Sequence, residues 1–412
     1  MVTPLRGTAV IGQSGGPTSV INQSLVGALE AAAERSGVIS RFYGALHGVD
    51  GILAQRFVDL RRERPAELAR ISRTPSAALG SVRKKPSASD CEQIFRIFQA
   101  HDVRYFFYIG GNDSAETAHI IDTLARDSGY EFRVVHIPKT IDNDLLVTDH
   151  SPGYGSAARF VALAFMGDDL DNRALGGVKI NVVMGRHAGF LTAAAALGRR
   201  RECDGPHLVY LPEANFDVDK FCGDVEDTMS RFGRCVVALS EGISDANGQP
   251  IVESGEVDPH GNVQLSGSGA LGDFLSQKIK EKVGVQRVRA DTFGYLQRSF
   301  PAVVSRTDAR EAREVGAYAV RAATQRDSLS GSVAIRRLNE SEYGVDYFVT
   351  DLQNVARKTR QLPDHFLAHS GNHVTQEFVD YASPLVGDLP EMGFLSGAMV
   401  RAKDIEGVGL AS

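Results

Sequence analysis

Apolar positions along this chain alternate between two rhythms. Residues 8–12, TAVIG, form a continuous apolar run of strand length, and beyond the loop QSGGPTSVIN the residues Ile21, Leu25, Leu29 and Ala32 recur at helical spacing. The same order returns downstream. VRYFFYIGGNDS (103–114) predicts a strand ending in two glycines, and AETAHIIDTLARDSG (115–129) predicts the helix that follows. FRVVHIPKTIDND (132–144) predicts a strand entering a polar loop, and GVKINVVMGRHAG (177–189) predicts a strand and loop before the alanine-rich helix FLTAAAALG (190–198). PHLVYLPEANF (206–216) and RCVVALSEGI (234–243) add two strand-like runs. Strands alternating with helices predict an α/β fold of doubly wound, mainly parallel sheets. Ligands of such sheets bind beyond the carboxyl ends of the strands, where all of these loops would gather.

At 412 residues the chain exceeds one ordinary core and suits two domains of roughly 150–200 residues each, with a cleft between them. Hydrophobic residues make up 43% and charged residues 23%, with a net charge of −6, which favours small-molecule chemistry over nucleic acid or an anionic membrane. Cys91, Cys203, Cys222 and Cys235 lie far apart without a CxxC pair, so neither a disulfide framework nor a zinc cluster is expected. No signal-type apolar segment and no apolar run of about 18 residues occurs, which predicts a soluble cytoplasmic protein.

The unusual chemistry lies in the loops. GQSGGPTSVIN admits three readings: a phosphate cradle at a helix N-terminus, the GxSxG elbow of a hydrolase with Ser14 as nucleophile, or a tight turn that needs glycine for packing. GSGALG (267–272) fits a dinucleotide fingerprint, yet the DPHGNVQLS before it is polar where the fingerprint requires a buried strand. GxxxxGK[ST], HRD and DFG are absent, which excludes the common nucleotide-kinase folds. PKTIDNDL is the most informative stretch, placing Lys139 just ahead of Asp142 and Asp144 directly after a strand. Paired carboxylates hold Mg²⁺ or take a proton from an alcohol, and a lysine neutralises phosphate. An Asx turn accounts for Asn143 and the aspartates but leaves the lysine without a reason. MGRHAG and YLQRS set Arg186 and Arg298 in loops, and arginine is a bidentate phosphate ligand. His187 acts as a base or merely packs; Glu213 accepts a bond from a sugar hydroxyl or starts a helix. SRTPSAALGSVRKKPS (72–87) reads as a mobile basic loop on the surface.

Taken in order, SGGPTSVIN, GGNDS, PKTIDND, MGRHAG, LPE and GYLQRS resemble the motifs of the phosphofructokinase family across residues 12–299. The family's ATP-dependent members carry glycine where this chain has Asp113 and again where it has Lys139; the chain's carboxylate and ammonium are the pattern of its pyrophosphate-dependent members. A carboxylate at Asp113 would stand where the α-phosphate of ATP passes, and like charges a few ångströms apart in a partly buried site cost on the order of several kcal/mol. The resemblance implies Mg²⁺-dependent, reversible phosphoryl transfer from pyrophosphate to the C1 hydroxyl of fructose 6-phosphate. It implies Asp142 as general base, Lys139 and Asp113 as further catalytic residues, and Gly15 presenting its amide to the terminal phosphate. Thr140, Ile141, Met184, Gly185, Arg186, Glu213, Tyr295, Leu296, Gln297 and Arg298 match sugar-phosphate positions. Lys179 and Arg289 match basic residues that cross from a neighbouring subunit, which implies a homodimer or higher homo-oligomer. The family's metal-binding aspartate is Asn112 here, so the metal falls to Asn112 through its amide oxygen or to Asp113. Arg73 matches the family's basic loop only approximately. The implied division is a pyrophosphate domain of residues 1–152 plus about 297–345, a sugar-phosphate domain of 153–296 plus part of the C-terminal region, and an appendage of about 346–412. ATP as donor, sedoheptulose 7-phosphate as a second acceptor, a serine hydrolase at Ser14 and a non-catalytic subunit are the alternatives.

Overall fold

The computed structural model describes residues 5–252, 269–325, 330–338 and 342–396. Its strands, in chain order, are β1 (Gly7–Gln13), β2 (Ile39–Ala45), β3 (Phe57–Asp59), β4 (Val103–Gly110), β5 (Arg133–Pro138), β6 (Gly177–Val183), β7 (Leu208–Tyr210), β8 (Arg234–Ser240), β9 (Val288–Thr292), β10 (Gly331–Arg337) and β11 (Val345–Thr350). Two sheets result: seven strands in the order β11-β10-β5-β4-β1-β2-β3, and four in the order β7-β8-β6-β9. Every pairing is parallel except β2 with β3 and β10 with β11, at the two edges of the larger sheet.

The uninterrupted apolar runs follow from this layering. β1 and β8 are buried along their whole length because helices cover both faces of their sheets. On one face of the large sheet, helices Ile21–Glu34 and Arg306–Ala323 cross with their backbones almost touching. A Cβ on Gly27 would stand 2.1 Å from the Arg313 carbonyl, and one on Gly316 would stand 2.0 Å from that of Ser24, so only glycine permits the crossing. Helices Ala88–Ala100 and Asn112–Asp127 cover the other face. The small sheet is covered by Val218–Phe232 and Ala270–Lys282 on one side and by Tyr154–Leu175 and Gln376–Val386 on the other.

β1 pairs with β2 on one side and β4 on the other, so the connections leaving β1 and β4 diverge and open a crevice at their carboxyl ends. β6 sits equivalently between β8 and β9 in the small sheet.

Several expectations shift. The helix after GGNDS begins at Asn112, not at residue 115, which puts Asp113 in the first helical turn. FLTAAAALG is one α-turn, Phe190–Ala193, followed by the 3-10 segment Ala194–Gly198. The basic loop is pinned: Leu79 is buried and its amide donates to Gln13 Oε1 at 2.9 Å, while the Ala78 amide donates to Asn22 Oδ1 at 2.9 Å. The boundary near residue 345 falls within structured chain, since β11 pairs with β10 and the helix Gln376–Val386 buries Phe378, Ala382, Leu385 and Val386. Of GSGALG, Gly267 and Ser268 lie outside the described residues, as do residues 397–412 of the expected appendage.

Candidate active site

A cavity of about 220 Å³ opens at the carboxyl ends of β1, β4 and β5. Its walls include Gly15, Asn112, Asp113, Lys139, Thr140 and Asp142, residues that the sequence motifs single out, together with Asp144. Val82 to Lys85 of the basic loop, which composition alone left on the surface, form a further part of the wall.

The glycine turn after β1 is shaped for close approach by cations. Gly15 has φ +73°, and a Cβ there would come 3.1 Å from Lys139 Nζ; at Gly16 one would come 3.2 Å from Arg298 Cζ. Lys139 Nζ donates to the Gly16 carbonyl at 2.7 Å. The Gly15 amide, expected to face phosphate, donates instead to the Val82 carbonyl at 3.0 Å, and Ser81 Oγ donates to the Gly15 carbonyl at 2.5 Å. In this structure the basic loop thus engages both main-chain groups of Gly15. Ser14, the would-be nucleophile, shares its hydroxyl with the Ser114 and Tyr108 hydroxyls, which offer no base to activate it.

Lys139 is buried, and desolvation followed by the nearby Arg298 lowers its pKa to about 7. Asp142 moves the other way, up to about 7, through burial first and then the neighbouring charges of Asp144 and Glu241. Its backbone amide donates to Thr140 Oγ1 at 3.1 Å, and that hydroxyl donates to Asp144 Oδ1 at 3.0 Å. Asp142 Oδ1 is buried without a hydrogen-bond partner, in the wall of the cavity. An unpaired carboxylate oxygen with a pKa near neutrality is suited to removing a proton from a bound hydroxyl.

Asp113 is exposed at the rim of the cavity, so solvent screens it and its repulsion of a third phosphate is weaker than the partly buried site assumed from sequence. Asn112 Oδ1 accepts the Asp113 amide at 2.8 Å, and its Nδ2 donates to Thr359 Oγ1 at 3.3 Å. Among the described residues no three His, Cys, Asp or Glu side chains form a metal cluster. A divalent cation here would therefore take one or two protein oxygens and complete its shell with phosphate and water, the manner in which Mg²⁺ binds. Asp113 on the cavity wall fits that requirement, whereas the Asn112 oxygen already accepts the amide of Asp113 within the first helical turn.

Apart from Thr140 and Ile141, the residues that the resemblance assigns to the sugar phosphate form a second cluster, on the loops after β6, β7 and β9. The Met184 amide donates to Gln297 Oε1 at 3.3 Å, and the Gln297 amide donates to the Gly294 carbonyl at 2.9 Å, binding two of these loops together. Gly185 has φ +131°, and a Cβ there would strike the Ala188 carbonyl at 2.5 Å, so the turn carrying Arg186 requires glycine. Arg298 stacks on Tyr295, 4.6 Å from the ring centroid, while Leu296 is exposed and Ile141 is buried in the core beside the site. Glu213 Oε1 accepts the amides of Gly189 at 2.9 Å and Leu362 at 2.8 Å; its Oε2 is buried and unpartnered, and burial raises its pKa. His187 is exposed, with a pKa lowered by desolvation and by Arg186.

Lys179 and Arg289 are not in the cavity wall. They face each other in register on β6 and β9, where Lys179 pairs with Asp291 and Arg289 is exposed. Arg73 bonds to the Ala69 carbonyl, away from the cavity. Glu241 and Arg360 are the residues that motif reading passes over: Glu241 acts on Asp142 through its charge, and Arg360 braces the Asp142 turn from a segment that lacks periodicity.

The phosphofructokinase family model matches residues 8–323. A pyrophosphate--fructose 6-phosphate 1-phosphotransferase of Rhodospirillum rubrum is 55% identical over 387 residues, covering 93% of this chain and 95% of that protein. One of the same name from Halomonas elongata is 35% identical over 92% of this chain and 91% of its own length. The crystal structure of a pyrophosphate-dependent phosphofructokinase from Nitrosospira multiformis superposes with a TM-score of 0.84 at 32% identity, covering 95% of both chains. With a cavity built from the family's motifs and a match spanning most of its length, the chain belongs to the phosphofructokinase family.

Proposed function

We propose that the protein transfers a phosphoryl group reversibly between pyrophosphate and the C1 hydroxyl of fructose 6-phosphate. The observation that carries this reading is the pairing, in one cavity, of the buried Lys139 with the unpartnered carboxylate oxygen of Asp142, with Asp113 at the rim. The names of the relatives described above support it.

In the forward direction Asp142 takes the proton of the C1 hydroxyl while that oxygen forms a bond to the terminal phosphorus. The bridging P–O bond breaks and phosphate leaves with the electron pair. Lys139 neutralises the charge that develops on the transferring and departing oxygens, in a site with little water to compete. In reverse, Asp142 returns the proton to the sugar oxygen. Mg²⁺, held by Asp113 and pyrophosphate oxygens, would supply positive charge to the phosphates when bound. Arg186, Arg298 and the free Oε2 of Glu213 hold the sugar phosphate, with Thr140, Met184, Gly185 and Tyr295 shaping its pocket. The larger sheet serves the donor and the smaller one the sugar.

Lys179 and Arg289, side by side on one strand pair and outside the cavity wall, suit a role toward a second copy of the chain, so we read the working form as a homo-oligomer. The free cysteines fit a reducing cytoplasm. Among the described residues no helix is long and apolar enough to cross a membrane. The test is phosphoryl transfer to fructose 6-phosphate from pyrophosphate and, separately, from ATP. Turnover with pyrophosphate alone is expected; turnover with ATP alone would overturn the assignment of the donor.

A further inference from the structure

Residues 355–362, VARKTRQL, lie in a stretch whose sequence shows no periodicity, yet they run the length of the site. Val355 packs with Ala115 and Leu145, Arg357 pairs with Glu116, and Thr359 accepts from Asn112 at 3.3 Å. Next comes Arg360. Its Nε and Nη2 donate to the Asn143 carbonyl at 3.2 and 2.7 Å, and its Nη1 donates to the carbonyls of Thr148 and Asp149 at 3.0 and 2.8 Å. Its own amide donates to the Asp144 carbonyl at 2.7 Å, and its guanidinium lies 4.8 Å from the centroid of the Phe190 ring. Two residues on, the Leu362 amide donates to Glu213 Oε1 at 2.8 Å.

All four side-chain bonds of Arg360 end on main-chain oxygens. A planar fork of donors meeting carbonyls fixes position, and the guanidinium charge acts besides on the nearby Asp144 and Asp149. The held turn needs fixing, because Asn143 sits in the left-handed region at φ +58° between the two aspartates. Its side chain is anchored as well, donating to the Tyr381 hydroxyl at 2.8 Å and accepting the Ser151 amide at 3.0 Å. Two residues of chain span at most about 7 Å, so the distance between the bracket on the Asp142 turn and the bond to Glu213 has little slack.

We propose that Arg360 is a positioning residue for phosphoryl transfer: it holds the Asp142 turn in register with Glu213, setting the proton acceptor against the sugar hydroxyl. The inference rests on the reading of Asp142 as base and Glu213 as sugar ligand. It identifies a component of the site in a part of the chain outside the six motifs.

The test compares the full-length protein with Arg360→Ala and Arg360→Lys, by steady-state kinetics and by amide hydrogen exchange. A misplacement of about 1 Å costs about 100-fold in rate, so Arg360→Ala should lose about that factor in kcat with both KM values within about threefold of the parent. Guanidinium ion added to Arg360→Ala should restore part of kcat, and Arg360→Lys, with its charge but no fork, should stay low. Exchange should accelerate within 140–150 and not elsewhere. Unchanged kcat and unchanged exchange in that loop would overturn the proposal, as would exchange accelerated throughout the chain without guanidinium rescue, which would mark Arg360 as a general structural tie. Parent protein that fails to turn over pyrophosphate would sink the functional reading, while the exchange experiment would still decide whether Arg360 holds the turn.

Discussion

Lys139 and Gly16 are joined across the glycine turn by a single hydrogen bond, Nζ to carbonyl oxygen at 2.7 Å. A carbonyl is a poor substitute for an anion, and with burial and Arg298 weighing against the charge, Lys139 holds its proton only up to about pH 7.

An anion in the cavity reverses that balance. Binding of pyrophosphate at pH 8 should therefore draw a proton onto Lys139. Titration calorimetry in two buffers of different ionisation enthalpy measures this uptake, and Lys139→Met should show less of it. Equal uptake by both proteins would mean that Lys139 is already charged in the empty site.

The direction of catalysis should shift the pH profile. In the proposed mechanism Asp142 accepts the C1 proton only when deprotonated, so forward kcat/KM should fall below a pKa of about 7 in the free enzyme. The reverse reaction needs the same carboxyl protonated, so its rate should fall as pH rises through that range, and its optimum should be the more acidic. Asp142→Asn should lose about 10²–10⁴-fold in both directions, the usual contribution of a general acid or base. Coincident optima would place the proton transfer elsewhere.

Glu213 offers a test of the sugar side. Gln at this position keeps one oxygen for the Gly189 and Leu362 amides but puts an NH₂ group in place of the unpartnered Oε2. A hydrogen bond to a charged group is worth about 1.5–3 kcal/mol, so KM for fructose 6-phosphate should rise by roughly 10–100-fold, with KM for pyrophosphate unchanged. An unaffected sugar KM would remove Glu213 from the pocket.

Donor choice should prove cooperative between two positions. Because Asp113 is exposed at the rim, Asp113→Gly alone should gain little ATP turnover. Paired with Lys139→Gly, which also opens the space beneath the glycine turn, it should gain measurably more. The single variant also removes an acid from the first turn of a helix, costing about 0.3–1 kcal/mol, which a thermal melt would register. Full ATP activity from Asp113→Gly alone would mean that its charge acts at longer range than an exposed carboxylate should.

β1, β4, β5, β6, β7 and β8 and the loops that follow them were legible because buried parallel strands are written as unbroken apolar runs, and these loops carry residues that packing does not require. β2, β3, β9, β10 and β11 were not; β11, for one, lies at a sheet edge with exposed or partly buried positions and shows no clean alternation. The loop 72–87 looked solvated because its sequence is polar. What holds it are Leu79 and two side-chain acceptors more than fifty residues away, Gln13 and Asn22, a tertiary fact with no local signal. Arg360 was hidden for a related reason, since its partners are carbonyl oxygens, which every residue supplies. Gly15 was legible as a conformation and not as a hydrogen bond: its positive φ follows from the turn, but the partner of its amide depends on the basic loop.

The insertion of β10 beside β5 bears on how the protein is made. Ser332 Oγ bonds His136 Nδ1 at 2.8 Å across a separation of 196 residues, whereas the four-stranded sheet is drawn entirely from residues 177–292. On the ribosome, the smaller sheet has all of its strands while the larger one still lacks β10 and β11 and presents β5 as an open edge, and the bracket at Arg360 emerges later still. The smaller sheet thus gains all of its strands first, yet the helix Gln376–Val386 that covers one of its faces follows the Arg360 bracket, so both halves of the molecule wait for the last described part of the chain before their cores are covered.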